Sequence, residues 1–164
     1  MKTLTKANWD TKIPIYKIPH KTLSKKGIKC LLLDVDGTLL NRNTNKIPLK
    51  VKNWIKKSND LFTIFLISNN PSKSRIEMIG NELGVKYKFK ALKPSKRITQ
   101  DVIDSLKEDK NNIAFIGDRI FTDIIVGNRC NLYTILVSRL NKNGLPLKLN
   151  ITLLIEKIIS FFLF

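Results

Sequence analysis

Asp34-Val35-Asp36-Gly37-Thr38 places two carboxylates and a hydroxyl directly after the apolar run Leu31-Leu32-Leu33. Asp and Gly are ordinary turn residues, and a turn is the plain reading. Two acids at the end of a buried strand repel each other, however, and need a compensating charge. A divalent cation is the simplest candidate, and Mg²⁺ prefers carboxylate, carbonyl and water oxygens. Other polar groups also follow apolar stretches: Ser68-Asn69-Asn70 after Phe62–Ile67, Lys93 after Tyr87–Leu92, and Gly117-Asp118, with Asp123 beyond them, after Ile113–Ile116.

These residue types suit phosphoryl transfer. That reaction needs a nucleophile, a proton donor for the leaving group and positive charge against the phosphoryl oxygens. One carboxylate can attack phosphorus, and a second can give and then take a proton. Ser68 and Lys93 can donate to phosphoryl oxygens, and Asp118 can complete a metal site. Plainer readings stand beside these. Lys93 is one of 30 Lys and Arg residues, and Ser68 could serve a turn or a helix cap.

The elements that must carry these groups alternate. Strands are expected at Ile28–Leu33, Phe62–Ile67, Tyr87–Leu92, Ile113–Ile116 and Tyr133–Val137. Helices are expected at Leu49–Ser58, at Ser72–Leu83 with Gly84 as the stop, from Pro94 through Leu106, and at Ile120–Gly127. Strand–helix alternation predicts an α/β fold with a mostly parallel sheet covered on both faces. Ligands bind such sheets beyond the carboxyl ends of the strands, where the polar clusters lie.

Asp34, Asp36 and Thr38 (DxDxT), then Ser68, Lys93, and Gly117-Asp118 with Asp123 resemble, in order, the four signatures of the haloacid-dehalogenase superfamily. The resemblance covers roughly residues 29–137 and implies a three-layer Rossmann-like phosphatase fold. It implies that Asp34 is the nucleophile and Asp36 the general acid and base. Thr38, Ser68, Asn69 and Lys93 would bind the phosphoryl group. Asp34, Asp118 and the Asp36 carbonyl would hold Mg²⁺, with Asp123 supporting the metal shell. The stretches from Thr38 to Ser68 and from Ser68 to Lys93 are too short for a cap domain, so the site should be open. The segments DVDGTLL, LISNNP, KALKP and GDRIFTDIIVGNRCNLYTILV are most similar to the capless subfamily IIIA proteins of the YqeG type. Gly37 departs from the Asn expected in many of them. That group is related to phosphatidylglycerophosphate phosphatases, which makes a lipid phosphate the favoured substrate, with Arg42, Arg119 and Arg129 as receivers for the rest of an anionic molecule.

Bulk properties bound the reading. The chain has 164 residues, 43% of them hydrophobic, and a net charge of +17. Length and apolar content fit one folded domain. The charge favours anionic partners, although lysines that merely solvate the surface would produce it too. Cys30 and Cys130 suggest neither a disulfide framework nor a zinc site. His20 is the only histidine, which speaks against serine–histidine chemistry. No apolar run is long enough to span a bilayer, and a cytoplasmic protein, either soluble or peripheral to an anionic membrane, is expected. Residues 1–28 read as a basic, irregular arm, 29–140 as the catalytic core, and 141–164 as an apolar C-terminal helix lying on the core or at a membrane interface. Two other functions compete with a lipid phosphatase. One is a soluble sugar-phosphate or nucleotide phosphatase. The other is an RNA- or ribosome-binding protein on the same fold, disfavoured because few aromatic residues interleave with the basic ones.

Overall fold

A computed structural model describes residues 3–146. Strands β1 (Trp9–Asp10), β2 (Cys30–Leu33), β3 (Thr63–Ile67), β4 (Lys86–Lys88), β5 (Ile113–Gly117) and β6 (Tyr133–Leu136) form one sheet in the order β1-β6-β5-β2-β3-β4. Every pairing is parallel. Strands β2, β3 and β5 are almost wholly apolar, as a sheet covered on both faces requires.

Side chains alternate between the two faces. Leu31, Leu33, Ile64, Leu66 and Ile116 join a core with Val51, Trp54 and Ile55 of α2 (Leu49–Asn59) and Ile76 and Ile79 of α3 (Lys73–Leu83). Leu32, Phe65, Ile67 and Phe115 join a second core with Val102 and Ile103 of α4 (Arg97–Leu106) and Val126 of α5 (Ile125–Arg129). The result is the expected three-layer α/β fold, with no cap among the described residues. From β2 the chain winds one way to β3 and β4, then returns to β5 on the other side of β2. The crevice between β2 and β5 is therefore the topological switch point where such folds bind ligands.

Several expected elements differ. Residues 1–28 read as an irregular arm, yet β1 extends the sheet beside β6, α1 (His20–Lys25) follows a short 3₁₀ turn at Ile15–Lys17, and Ile15, Ile18 and Leu23 are fully buried. Trp54 Nε1 donates to the Ile18 carbonyl at 2.8 Å, and His20 stacks on Trp54. The prolines that break a long helix here leave apolar side chains free to dock singly. The strand expected at Tyr87–Leu92 stops at Lys88, because Lys90 and Leu92 take positive φ and leave the ladder. The helix expected from Pro94 starts at Arg97, since Lys93 to Ser95 turn to present Lys93. Of the expected C-terminal helix, 141–164, residues 141–146 instead form a turn closed by an antiparallel bridge between Leu140 and Pro146, because Gly144 and Pro146 break a helix, and the remainder lies outside the described residues.

Leu23→Ala tests the docking of the N-terminal segment. Truncating a fully buried leucine costs about 2–5 kcal/mol, so chemical denaturation should shift to markedly lower denaturant. An unchanged midpoint would return residues 1–28 to the status of a free arm.

Candidate active site

Asp34 directly follows β2, and its backbone N–H continues the ladder to the Ile116 carbonyl at 2.9 Å. Its side chain therefore emerges at the carboxyl end of the central strand and is only 7% exposed. Asp34 Oδ1 accepts from Lys93 Nζ at 2.6 Å, and Oδ2 accepts from the Thr38 hydroxyl at 3.2 Å. The same hydroxyl lies 3.3 Å from Asp118 Oδ1, at the end of β5. Residues far apart in sequence thus meet because β2 and β5 are adjacent and in register.

Lys93 is buried, and its ammonium spends all three protons on Asp34, on Asp123 Oδ1 at 2.7 Å and on the Ile67 carbonyl at 2.8 Å. Burial pulls its pKa down, but the charges of Asp123 and Asp34 outweigh burial and leave it raised. The other Asp123 oxygen accepts from the Arg119 backbone N–H at 3.0 Å. Both Asp123 oxygens are thus committed to holding protein groups. A wide π-helical turn at Ile120–Ile124 carries Asp123 back toward the sheet, where a single α-helix was expected over 120–127. Such turns concentrate at functional sites. Gly117 makes room for it, since a Cβ there would lie 2.4 Å from Asp123.

The loop after Asp34 is equally constrained. Gly37 has φ +102°, and a Cβ would lie 2.6 Å from the Asp118 carboxylate. Any side chain at position 37 would be strained and would crowd that carboxylate.

Asp36 turns the other way. Oδ2 accepts from Asn70 Nδ2 and Oδ1 from Arg75 Nη2, both at 2.8 Å. Arg75 also donates to the Thr44 carbonyl and to Asn45, tying α3 to the 41–47 loop. The Asn69 amide is used on the backbone of Lys93: Oδ1 accepts from its N–H at 2.7 Å and Nδ2 donates to its carbonyl at 2.9 Å. Its visible work is to position Lys93, where phosphate binding was expected. Ser68 is buried, accepts from the Asn70 N–H at 3.1 Å and keeps its own proton to donate.

Asp34, Asp36, Arg42, Ser68, Asn69, Asn70, Lys93, Arg119 and Thr122 line one open cavity. Arg42 and Arg119 therefore reach the site. Arg129 does not line it and donates instead to the Pro94 carbonyl at 3.0 Å. Two partners escaped sequence reasoning: Arg75 on Asp36, and Arg139, whose Nε donates to Asp118 Oδ2 at 2.5 Å. Asn70 belongs to the Ser68–Asn70 cluster singled out in the sequence, and it meets Asp36. Arg75 and Arg139 carry no local signal, because only the packing of α3 and of the segment after β6 brings them in.

The charge balance decides what else fits. Asp34, Asp118 and Asp123 present carboxylate oxygens within 4.8 Å of one another. Against them stand the Lys93 ammonium and the half-exposed Arg139 guanidinium. With all three ionised the cluster is one positive charge short, and a hard cation suits its oxygen donors. Burial first, then the charge of Asp123, pushes Asp34 up to about 7 even though Lys93 pulls it down. Asp118 is raised by burial against the opposing pull of Arg139.

A carboxyl raised from the ordinary 3.8 to about 7 on folding adds stability at low pH and loses it as pH climbs through the folded value. In EDTA, the melting temperature should therefore fall between about pH 4 and about pH 7. Asp34→Asn, uncharged throughout, should flatten that fall. An equally steep fall in the variant would assign it to other groups.

Comparison with known proteins follows this geometry. Residues 2–140 match the model of the family described as mitochondrial PGP phosphatase. The chain is 25% identical over 123 residues to the "Probable phosphatase YqeG" of Bacillus subtilis strain 168, covering 75% of this chain and 72% of that protein. A protein from Listeria monocytogenes serotype 4b shares the fold at TM-score 0.56 and 18% identity, covering 75% of this chain and 84% of that one. The 3-deoxy-D-manno-octulosonate 8-phosphate phosphatase of Moraxella catarrhalis, solved with magnesium, phosphate and KDO, aligns at TM-score 0.52 and 16% identity over 88% of this chain and 99% of its own. With the matched family spanning most of its length, the chain belongs to the PGP phosphatase family and is a phosphatase.

Proposed function

We propose that this phosphatase hydrolyses its phosphomonoester in two steps through Asp34, with Mg²⁺ as the cation, and that its substrate carries further negative charge. The observation that carries the reading is the setting of Asp34. Its carboxylate is buried between Lys93 at 2.6 Å and Thr38 at 3.2 Å, at the floor of a cavity lined by Arg42 and Arg119.

In the first step an Asp34 oxygen attacks phosphorus as the bond from phosphorus to the leaving oxygen breaks. Asp36, as the acid, gives its proton to that oxygen, so an alcohol departs and an aspartyl-phosphate remains. In the second step Asp36 takes a proton from water, the water oxygen attacks phosphorus, and the bond to Asp34 breaks to release phosphate. Asn70 and Arg75 orient Asp36 for both transfers. Asp34, Asp118 and the Asp36 carbonyl would hold Mg²⁺, with Asp123 behind them. The cation supplies Lewis-acid neutralisation of phosphoryl charge. Lys93 and the Ser68 hydroxyl, preset by Asn69 and the neighbouring backbone, oppose the same charge.

Two features support an anionic phospholipid such as phosphatidylglycerophosphate. Arg42 and Arg119 make no ion pair among the described residues and flank the cavity. The matched family is itself described by that substrate. Among the described residues no cap covers the cavity, which suits a substrate presented at a surface, where the substrate must itself exclude water.

Asp34→Asn should lower Mg²⁺-dependent release of phosphate from an aryl phosphate by at least about 10³-fold, while the wild type should stop in EDTA and recover with added Mg²⁺. Turnover by the variant near the wild-type rate would remove Asp34 as nucleophile. In a substrate panel, phosphatidylglycerophosphate in mixed micelles should be preferred to sugar phosphates and nucleotides. Joint replacement of Arg42 and Arg119 by Ala should raise KM for it roughly tenfold, as expected for losing charge-assisted contacts. A preference for a soluble sugar phosphate or nucleotide would defeat the lipid assignment.

A further inference from the structure

The excess positive charge is concentrated in one part of the molecule. Between Thr11 and Asn59 stand twelve Lys and Arg residues, and the only acids are Asp34 and Asp36, both inside the active site. Outside this stretch the balance is eighteen to eleven. Lysines that only reflect composition would be spread with their acids. Of these twelve cations, Lys12, Lys29 and Lys52 alone reach an acid among the described residues.

The fold places three of the rest around a groove. A cavity of about 640 Å³ runs between the turn at Ile15–Lys17 and α2, and shares no lining residue with the active-site cavity. Lys17 stands on one wall, and Lys50 and Lys57 stand on the other. All three are exposed and lack an ion-pair partner among the described residues. Rings lie between them. Tyr16 is partly exposed under the Lys50 ammonium, and His20 is stacked on Trp54 with ring centroids 5.1 Å apart. Basic side chains interleaved with rings, absent as a run in the sequence, are thus assembled in space.

We propose that this groove binds single-stranded nucleic acid, separately from the phosphatase site. Lysines on facing walls track a phosphodiester backbone, and the Tyr16 ring offers a face for a base. An anionic membrane fits less well. A bilayer is broad and would meet only the rims of a groove, and none of the exposed large apolar side chains, such as Leu49, Leu61 and Phe121, lines it.

Fluorescence anisotropy with labelled 20-mers of uridine and of thymidine tests this, using the whole chain at rising salt. The wild type should bind, with a salt slope that flattens by about 2 in log–log form when Lys17, Lys50 and Lys57 are together changed to Gln, because each lost phosphate contact removes about 0.7. Affinity at low salt should fall about tenfold or more, with melting temperature and phosphate release unchanged. A second variant, with Lys86, Lys88 and Lys90 changed to Gln, removes equal charge elsewhere and should bind like the wild type. Equal weakening in both variants would reduce the effect to net charge and overturn the groove. Failure of the wild type to bind either oligomer at low salt would overturn it as well, including the case in which phosphatidylglycerol vesicles bind and the groove variant abolishes that binding.

Discussion

Buried like charges that must be kept together govern this molecule. Three carboxylates, from Asp34, Asp118 and Asp123, crowd the carboxyl end of two neighbouring strands. Left alone they would repel, and their burial would favour protonation over charge. The fold answers with a buried lysine whose three protons are divided between Asp34, Asp123 and the Ile67 carbonyl, and with Arg139 against Asp118. With all three ionised that answer falls one charge short, and the shortfall makes the place receptive to a cation and to chemistry that moves negative charge. A neutral, fully paired cluster would be more comfortable and less useful.

Much local structure serves to hold that cluster. Asn69 grips the backbone of Lys93 on both sides. The π-helical turn folds Asp123 inward against Gly117, and Gly37 leaves space for Asp118. Asp36 is held outside the knot by Asn70 and Arg75, at the wall of the cavity. Two carboxyls two residues apart thus receive different duties. One is locked beside an ammonium, and the other is turned toward the cavity and the loop around Thr44.

The two apolar layers give these side chains a rigid base. Strands β2 and β5 pair residue for residue, Leu33 with Ile116, so the positions just beyond them are fixed relative to each other. The segment before β2 contributes as well. Its isoleucines and Leu23 complete the core above α2, and Trp54 hydrogen-bonds its backbone. The same docking sets its lysines opposite those of α2, which turns a basic composition into a shaped surface.

The sequence by itself determined the strand–helix alternation and the positions of the reactive residues. Apolar runs ending in Asp34, Ser68 and Asp118 are strong local signals, and Gly84 ends α3 in the left-handed conformation that glycine accepts without cost. Where the signal was local, as for α2 and α3, expected and observed boundaries agree closely. Where it was not, the reading missed. The N-terminal segment contains no periodic run, so only tertiary contact reveals that Ile15 and Ile18 are core. The strand at β4 ends early because Lys93 must be turned into the site, a demand set by Asp34 and Asp123 rather than by its own neighbours. Tertiary structure alone decided that Arg75 belongs to Asp36, that Arg139 belongs to Asp118 and that Asn69 works on Lys93. Such pairings depend on which elements lie side by side, and a one-dimensional pattern of propensities does not encode distances between residues separated by a folded sheet.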